Sequence, residues 1–257
     1  MQVMRVPASA RLMPFIERFI VVESGEETTR VLLPEPGLIL GVRYRGAASL
    51  LDGHRATRLS GSAITGIVGA ARRMRTHAHS GIVLAQFRPT GAAPFFATPL
   101  HELFGATVPL DQLLPRADVQ RLADRIASQP DHAHRVAVLE QYLAARLTEA
   151  APDAIAQAAA AAIVGAHGCL RIADLARRLG ISQDPLEKRF RRAVGASPKQ
   201  LASIVRVKHA IELGKTGRSW SRVAHDAGYF DQSHFIREFR TITGEAPARF
   251  FRAVEYC

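Results

Sequence analysis

Cysteine and long apolar runs are both scarce in this sequence of 257 residues. Its two cysteines, Cys169 and Cys257, are too few and too far apart for a disulfide framework or a structural zinc site. Charged residues such as Arg5, Arg11 and Glu17 interrupt the apolar stretches near the amino terminus. We therefore expect neither a signal peptide nor a membrane helix, which needs about 20 apolar residues. These absences favour a protein of the reducing cytoplasm that has no membrane partner.

Catalytic motifs are also missing. The segments "GSAITG" and "HSG" do not form nucleophile elbows, no glycine-rich loop has the length that holds a phosphate, and no motif positions a carboxylate pair. His77 and His79 alternate as residues on one strand face do, but no acidic or third His ligand follows at short range, which favours a solvated or edge-strand pair over a metal site. We therefore predict no catalytic residue, no metal site and no cofactor.

Positive charge, by contrast, is in excess. The chain carries 34 lysines and arginines against 23 acidic residues, a net charge of +11. Residues 168–257 hold 17 of the basic and 9 of the acidic residues, a net charge of +8, which leaves +3 for residues 1–167. Such a basic region indicates a polyanionic partner, with nucleic acid as the first candidate.

The pattern of apolar residues changes near Thr90, from one typical of strands to one typical of helices. Before it, short apolar runs rich in Val, Ile and Phe are typical of strands in an antiparallel sandwich or barrel, and they lie at 19–22, 31–33, 38–42, 64–68 and 82–87. After it, helices are predicted at 100–104, 119–127 and 134–147. The last of these helices carries an apolar stripe of Val136, Leu139, Leu143 and Leu147. The stripe packs either within its own module or on a second subunit, and we expect packing within the module.

We predict two domains in an α+β multidomain chain. Residues 1–148 form a β-rich sensor or dimerisation module with trailing helices, and residues 152–257 form an all-α domain. The boundary is placed in "EAAPDA" at 149–154, where Pro152 suits a helix start. The alanine-rich run that follows favours a packed helix rather than a linker.

An internal repeat occupies the carboxyl-terminal third. Four residues recur 48 positions later, namely Leu175, Ala176, Leu179 and Gly180 as Val223, Ala224, Ala227 and Gly228. Four more recur 49 positions later, namely Leu186, Phe190, Gly195 and Pro198 as Phe235, Phe239, Gly244 and Pro247. One extra residue therefore lies between Gly228 and the next helix. Each unit predicts a helix-turn-helix with a glycine in the turn, and Ser182 and Asp231 are the predicted caps of the second helices.

The second helix of each unit separates apolar from polar residues. At about 100° per residue, one arc holds the apolar set and the opposite arc the polar set. In the second unit Phe235, Phe239 and Ile242 oppose Ser233, Arg237 and Arg240, and in the first Leu186, Phe190 and Ala193 oppose Asp184, Lys188 and Arg191. Two capped helices with polar outer faces suit the major groove of double-stranded DNA, which admits an α-helix.

Residues 172–250 resemble the DNA-binding domain of AraC/XylS-type transcription regulators, through "IADLARRLGIS", "LEKRFRRAVGASPKQL" and "GYFDQSHFIREF…TGEAPARF". The resemblance implies that a helix, here Pro198 to Leu213 and about 24 Å long, sets both recognition helices for successive major grooves, about 34 Å apart. It also implies an amino-terminal module that senses a small molecule or dimerises, often a cupin-like β-barrel. "LLPEPGLIL" and "FRPTGAAPFF" resemble segments of such modules.

Carried over by position, the resemblance implies base contacts from Gln183, Asp184, Glu187 and Lys188 in the first unit and from Gln232, Ser233, His234 and Arg237 in the second. Phosphate contacts are expected from Ser182, Arg191, Arg192, Lys199 and Arg206. Arg237 is the strongest candidate, because a guanidinium can bind guanine O6 and N7 together. Asp184 and Glu187 weaken the attraction for phosphate, so the alternative is a first unit that does not contribute to DNA binding. Pro185 lies in the first turn of the helix, where its missing N–H costs little.

The predicted function is therefore a sequence-specific transcription regulator that a small molecule or dimerisation controls through the amino-terminal module. RNA polymerase and a second copy of the chain are further candidate partners. The alternative is a cupin-type metal-dependent enzyme or a ligand-binding protein fused to the same DNA-binding domain.

Overall fold

The computed structural model describes residues 1–148 and 152–252. Over these residues a β-rich amino-terminal module is followed by helices, which confirms the predicted α+β class. Part of the predicted boundary segment, residues 149–151, lies outside the described residues, and so does Cys257.

Two antiparallel sheets form the amino-terminal module. The described strands are β1 Gln2–Val6, β2 Ile16–Ser24, β3 Thr28–Leu32, β4 Ile39–Arg45, β5 Ala48–Asp52, β6 Arg55–Arg58, β7 Ser62–Thr65, β8 Arg72–Thr76, β9 Ser80–Phe87 and β10 Thr107–Pro109. The larger sheet has the order β1-β2-β9-β4-β7-β10 and the smaller sheet the order β3-β8-β5-β6. Of the two predicted forms, barrel and sandwich, the structure has the open sandwich.

A bulge sets which side chains of β2 face the core. Phe19 and Val21 alternate inward, as strand geometry requires. Ile16 lies three residues before Phe19 and is also buried, because the register against β9 shifts between Ile16 and Arg18. On β9, the ring of Phe87 packs at 5.4 Å from that of Phe95, which lies in a short 3-10 helix. The larger sheet is therefore covered on one face by a continuous apolar layer.

Each of the five apolar runs in the sequence coincides with a strand, namely β2, β3, β4, β7 and β9. The runs did not predict β1, β5, β6, β8 and β10. The sequences of β6 (RATR) and β8 (RRMRT) explain two of these omissions, because both strands are polar and lie in the outer sheet, with β6 fully exposed. Pairing with a neighbouring strand, rather than an apolar face, holds them extended.

Two helices follow the sandwich, α1 Arg116–Ala127 and α2 His132–Arg146. The carboxylate of Asp131 caps α2 by accepting the backbone N–H of His134 at 3.0 Å. The stripe of α2 is buried within the chain against α1, β2 and β9, which confirms the expected intramolecular packing, although Leu147 lies beyond the helix end.

The remaining helices build the predicted double helix-turn-helix. They are α3 Ala154–Gly165, α4 Ile172–Arg178, α5 Gln183–Val194, α6 Pro198–Gly214, α7 Trp220–Asp226, α8 Gln232–Thr243 and α9 Pro247–Phe250. The two units are α4 with α5 and α7 with α8, and α6 connects them. The start of α6 is fixed by a capping box, in which Ser197 and Gln200 bind each other's backbone N–H at 3.2 and 2.8 Å. Among the described residues, no helix combines the length and the apolar character that crossing a bilayer requires.

Two hydrophobic cores meet on α6. The larger core contains the sandwich, α1 to α5 and the first half of α6, through residues such as Leu201 and Val205. The smaller core contains the second half of α6, through Val207 and Ile211, together with α7, α8 and α9. The first unit thus shares the core of the amino-terminal module, and the 3-10 helix Leu100–Leu103 packs directly on α5. The limits 1–148 and 152–257 stay a prediction, and a cut at 149–151 would expose part of the larger core.

Phe239→Ala is expected to lower the free energy of unfolding by about 3–5 kcal/mol, the usual loss for a buried aromatic. The Phe239 ring is fully buried between Phe235 and Phe250, with centroids 5.5 and 5.2 Å away. Denaturant unfolding monitored by hydrogen exchange should place the loss in α7 to α9. Phe230→Ala is the matched control, because that ring is 93% exposed. A denaturation curve that Phe239→Ala leaves unchanged would contradict the helix phase.

Candidate nucleic-acid interface

The turns of the two units repeat each other in detail. Gly180 and Gly228 adopt positive φ angles of 66° and 71°, a region that favours glycine. The residue after each glycine makes an equivalent backbone hydrogen bond to the preceding helix. Ile181 N donates to a carbonyl of α4 at 3.1 Å, and Tyr229 N donates to a carbonyl of α7 at 2.9 Å. The sequence repeat is therefore a repeat of turn geometry as far as Ile181 and Tyr229.

The faces of α8 lie as predicted. Phe235 and Phe239 are fully buried and Ile242 is nearly so, whereas Ser233, Arg237 and Arg240 are exposed. All four predicted base contacts of this unit are exposed on the first two turns of α8, namely Gln232, Ser233, His234 and Arg237. The buried face fixes the helix on the core and leaves the outer face free for a partner.

The start of α8 is held by its cap. The carboxylate of Asp231 accepts the backbone N–H of His234 at 2.7 Å, as the sequence predicted. The ring of His234 packs edge-on against Tyr229, with centroids 5.4 Å apart. The remaining N–H groups of the first turn point outward, where a helix amino terminus favours phosphate.

The start of α5 differs from this pattern. Ser182 occupies the cap position, but its side chain makes no capping bond, so that part of the prediction is wrong. Leu186 and Phe190 are buried as predicted, while Ala193 is only half-buried and Val194 completes the buried face instead. The predicted contacts of this unit are nevertheless all exposed, namely Ser182, Gln183, Asp184, Glu187, Lys188, Arg191 and Arg192.

An ion pair occupies part of the α5 face. Glu187 accepts two bonds from Arg191, at 2.9 and 2.7 Å, one helical turn away. A base or phosphate contact by either residue would therefore have to replace this pair. Because the pair is exposed, it is worth only about 0.3–0.5 kcal/mol, so a DNA contact can displace it.

Several exposed cations of the carboxyl-terminal domain have no acidic partner among the described residues. In the part of the chain that the structure describes, no carboxylate lies within ion-pair distance of Lys188, Arg192, Lys199, Arg237 or Arg240. Other cations of the domain are paired, as Arg177 is with Asp174 and Lys215 is with Glu212. Unpaired cations keep their full attraction for phosphate.

Arg206, also expected at a phosphate, makes its contacts inside the protein. Its guanidinium binds Glu238 at 3.0 Å and lies over the Tyr229 ring, 4.8 Å from the centroid. Glu238 also accepts the hydroxyl of Ser203 on α6. Burial and the neighbouring Glu238 raise the pKa of the Tyr229 hydroxyl, which keeps it neutral. This cluster joins α6 to α8. The phosphate contact predicted for Arg206 is untested, and these internal contacts favour a structural role over it.

The sequence prediction omitted Arg240 from the contacts. Arg240 follows Arg237 by three residues and shares a shallow groove on α8 with it; the groove is lined by Ser233, Ile236, Arg237, Arg240, Thr241 and Gly244. The helical phase alone places Arg240 on this face, so the signal was present in the sequence.

His77 and His79 of the amino-terminal module are not arranged as a metal site among the described residues. His77 and His79 lie in the loop between β8 and β9, so their assignment to one strand face is wrong. The Nδ1 atom of His77 lies 3.3 Å from Glu27, and His79 has a positive φ of 53° in the turn. Across residues 1–148 and 152–252, no group of three or more His, Cys, Asp or Glu side chains is arranged to hold a metal ion.

Two family models match the chain. Residues 4–109 match a "Domain of unknown function (DUF6597)", and residues 175–253 match a "Helix-turn-helix domain", the segment that forms α4 to α9. The carboxyl-terminal domain is an AraC-type helix-turn-helix domain. The second helices of its two units are α5 and α8, and the residues that contact DNA remain predictions.

Proteins similar to the chain include regulators. The Msm operon regulatory protein of Streptococcus mutans is 28% identical over 87 residues, which are 34% of this chain and 31% of that protein. This chain thus spans about a third of the length of that relative. ToxT from Vibrio cholerae is 15% identical, with 91% of this chain and 97% of that chain covered and a TM-score of 0.47. A DNA-binding transcriptional dual regulator of Escherichia coli K-12 is 27% identical over 38% of this chain and 97% of its own, with a TM-score of 0.34.

Replacing Lys199 or Arg206 by alanine removes one positive charge in either case. The pair therefore tests which of the two cations contacts DNA and which stabilises the domain. Lys199→Ala is expected to reduce the slope of log affinity for DNA against log salt by about 1 and to leave the melting temperature unchanged, since this exposed lysine is predicted to contact a phosphate. Arg206→Ala is expected to lower the melting temperature and to leave the slope unchanged, because it leaves Glu238 half-buried without its cation. A salt slope that falls equally in both variants would contradict the internal role of Arg206.

Proposed function

We propose that this protein is a sequence-specific DNA-binding transcription regulator that reads duplex DNA with α5 and α8 and is controlled through its β-sandwich. The observation that supports it most concerns α5 and α8, the second helices of the two repeated units. Each buries its apolar face in a core and exposes polar side chains and unpaired cations on its outer face. The proposal places its action in the cytoplasm, with RNA polymerase and a second copy as further partners. It assigns no catalytic role to any residue.

The connecting helix has the length that the proposal needs. The 17 residues of α6 span about 26 Å at 1.5 Å per residue. Adding the helix widths at its two ends approaches the ~34 Å turn of DNA. Both units can therefore address successive major grooves on one side of the duplex.

The second unit is assigned the larger share of base recognition. The outer face of α8 offers Arg237 for guanine and Gln232 for adenine without a competing carboxylate on that face. The outer face of α5 carries Asp184 and the paired Glu187, which oppose the phosphate field. We assign α5 mainly to positioning on the backbone, through its unpaired cations.

The amino-terminal module meets the second half of α6 and the second unit through polar contacts and through Leu33, which packs against the smaller core. The N–H of Ala71 donates to the carbonyl of Ile242 at the end of α8, at 2.7 Å. Glu35 binds Lys208 of α6 and accepts an amide bond at 3.0 Å from the buried Gln86 of β9. These contacts leave the predicted base-reading side chains of α8 exposed, so we propose that they set the orientation of α8 rather than cover it.

An open surface groove at the edge strands β6 and β10 of the sandwich is the place that we propose for a small-molecule effector. Its volume of about 890 Å³ lies in the range of ordinary ligand sites. Arg58, Arg72 and Leu50 line it, and so does Ala71, whose N–H contacts α8. A molecule bound there would touch the residue that carries the contact to the recognition helix, which gives the proposed control a direct route.

Selection of bound fragments from a random duplex library by the full chain tests the function. We expect an enriched motif with two parts about one helical turn apart, bound with a steep salt dependence. The full chain is required, because the first unit shares its core with the sandwich. A folded protein that enriches no motif would refute the proposed function.

Arg237→Ala is expected to lower affinity for the selected site by about 1–3 kcal/mol and to relax the preference at one base pair, because a base contact is lost. Binding curves on the selected site and its single-base variants provide the measurement. Arg121→Ala, an exposed arginine of α1, is the control of equal charge and should bind as the wild type does. Equal losses on selected and random DNA would assign Arg237 to a phosphate instead.

Glu35→Gln and Lys208→Gln are each expected to weaken specific binding about two- to fivefold, the range for a partly exposed ion pair. The double variant should lose no more than either single variant, since both remove one contact. Titration of the selected site with all four proteins completes the cycle. Losses that add would show that the two residues act separately.

A further inference from the structure

The extra residue of the second unit can be assigned from the backbone. Ile181 and Tyr229 make equivalent bonds after the two glycines, so they are equivalent positions. In the first unit the cap position of the next helix follows at once, at Ser182, whereas in the second unit it comes one residue later, at Asp231. The inserted residue is therefore Phe230.

Phe230 is held outward by both of its neighbours. The Tyr229 side chain before it is buried in the smaller core, and Asp231 after it caps α8. The Phe230 ring is 93% exposed, whereas the next most exposed large apolar side chain of the described residues, Met13, is 55% exposed. An exposed phenylalanine at this position gains free energy when a partner removes the ring from water.

The surroundings of Phe230 select the kind of partner. The exposed residues that follow it are polar, namely Asp231, Gln232 and Ser233, so the ring is a single apolar point and not part of an apolar patch that would suit a protein partner. It stands immediately before the helix whose outer face carries Arg237 and Arg240. In the major groove, the apolar group that a base pair presents is the 5-methyl of thymine.

We propose that Phe230 is a specificity residue of the DNA interface, whose ring packs on the 5-methyl group of a thymine beside the base pairs that the first turn of α8 reads. This inference rests on the proposed function. It predicts an asymmetry between the half-sites, because the first unit has no residue equivalent to Phe230.

Replacing each thymine of the selected site by 2′-deoxyuridine, one at a time, removes only the methyl group and tests the contact. The wild-type full chain is expected to lose about fourfold in affinity at one position within the half-site of the second unit, the factor that corresponds to one buried methyl group. Phe230→Ala should bind the thymine site at least fourfold more weakly than the wild type and show no loss from deoxyuridine at that position.

Two control variants accompany this cycle. Met13→Ala removes an exposed apolar side chain of the amino-terminal module and should keep the full deoxyuridine effect. Phe230→Leu keeps an apolar group and should keep most of it. Melting temperatures of the two Phe230 variants should match the wild type, because this side chain is 93% exposed.

The outcomes separate the inference from the function on which it rests. If the wild type binds its selected site but no deoxyuridine substitution weakens it, or if Phe230→Ala keeps the same penalty, the thymine contact is wrong while the regulator function stands. If Phe230→Ala instead changes the molar mass in light scattering and leaves the penalty unchanged, the ring contacts a second copy. If the wild type selects no sequence, both proposals fail.

Discussion

The position of α6 in two hydrophobic cores is the constraint on which the arrangement of the two units depends. Its first half is buried with the sandwich and α5, and its second half is buried with α7 and α8. Close-packed cores resist sliding, because displaced side chains leave cavities or overlap. A shift of α8 along α6 therefore has to break one core, and the spacing of the recognition helices is set by packing. The cluster of Arg206, Glu238 and Ser203 adds orientation to that spacing, since its bonds are directional.

The cations of the carboxyl-terminal domain differ in whether they need a carboxylate partner. Where a guanidinium loses water, a carboxylate has to compensate it; Arg206 meets this condition with Glu238, and its charge is used within the protein. Where the side chain stays in water, no such partner is needed, and Lys188 and Arg237 are left without one among the described residues. The net positive charge of the region thus becomes a surface property concentrated on the outer faces.

Local periodicity predicted the carboxyl-terminal domain well, because helix phase, turn glycines and caps each depend on residues within one or two turns. Phe235, Gly228 and Asp231 were assigned correctly for this reason. The missing capping bond of Ser182 and the internal contacts of Arg206 could not be predicted, because each depends on side-chain positions set by distant packing. The exposed strand β6 carried no apolar signal, and the pair of Glu35 with Lys208 joins residues that only the fold brings together.

The two units differ in how extensively they are packed against the sandwich. This difference decides which unit a ligand in the sandwich would affect under the proposed control. The first unit is part of the larger core, so α5 cannot move without disturbing the sandwich. The second unit and the second half of α6 form a separate core and meet the sandwich through a few contacts, notably the bond of Ala71 to Ile242, the Glu35–Lys208 pair and the packing of Leu33. Such contacts are individually worth about 1 kcal/mol, whereas moving a core costs several times more. We therefore propose that a ligand in the sandwich acts first on these few contacts of α6 and α8, which can be broken without disturbing either core, and not on α5.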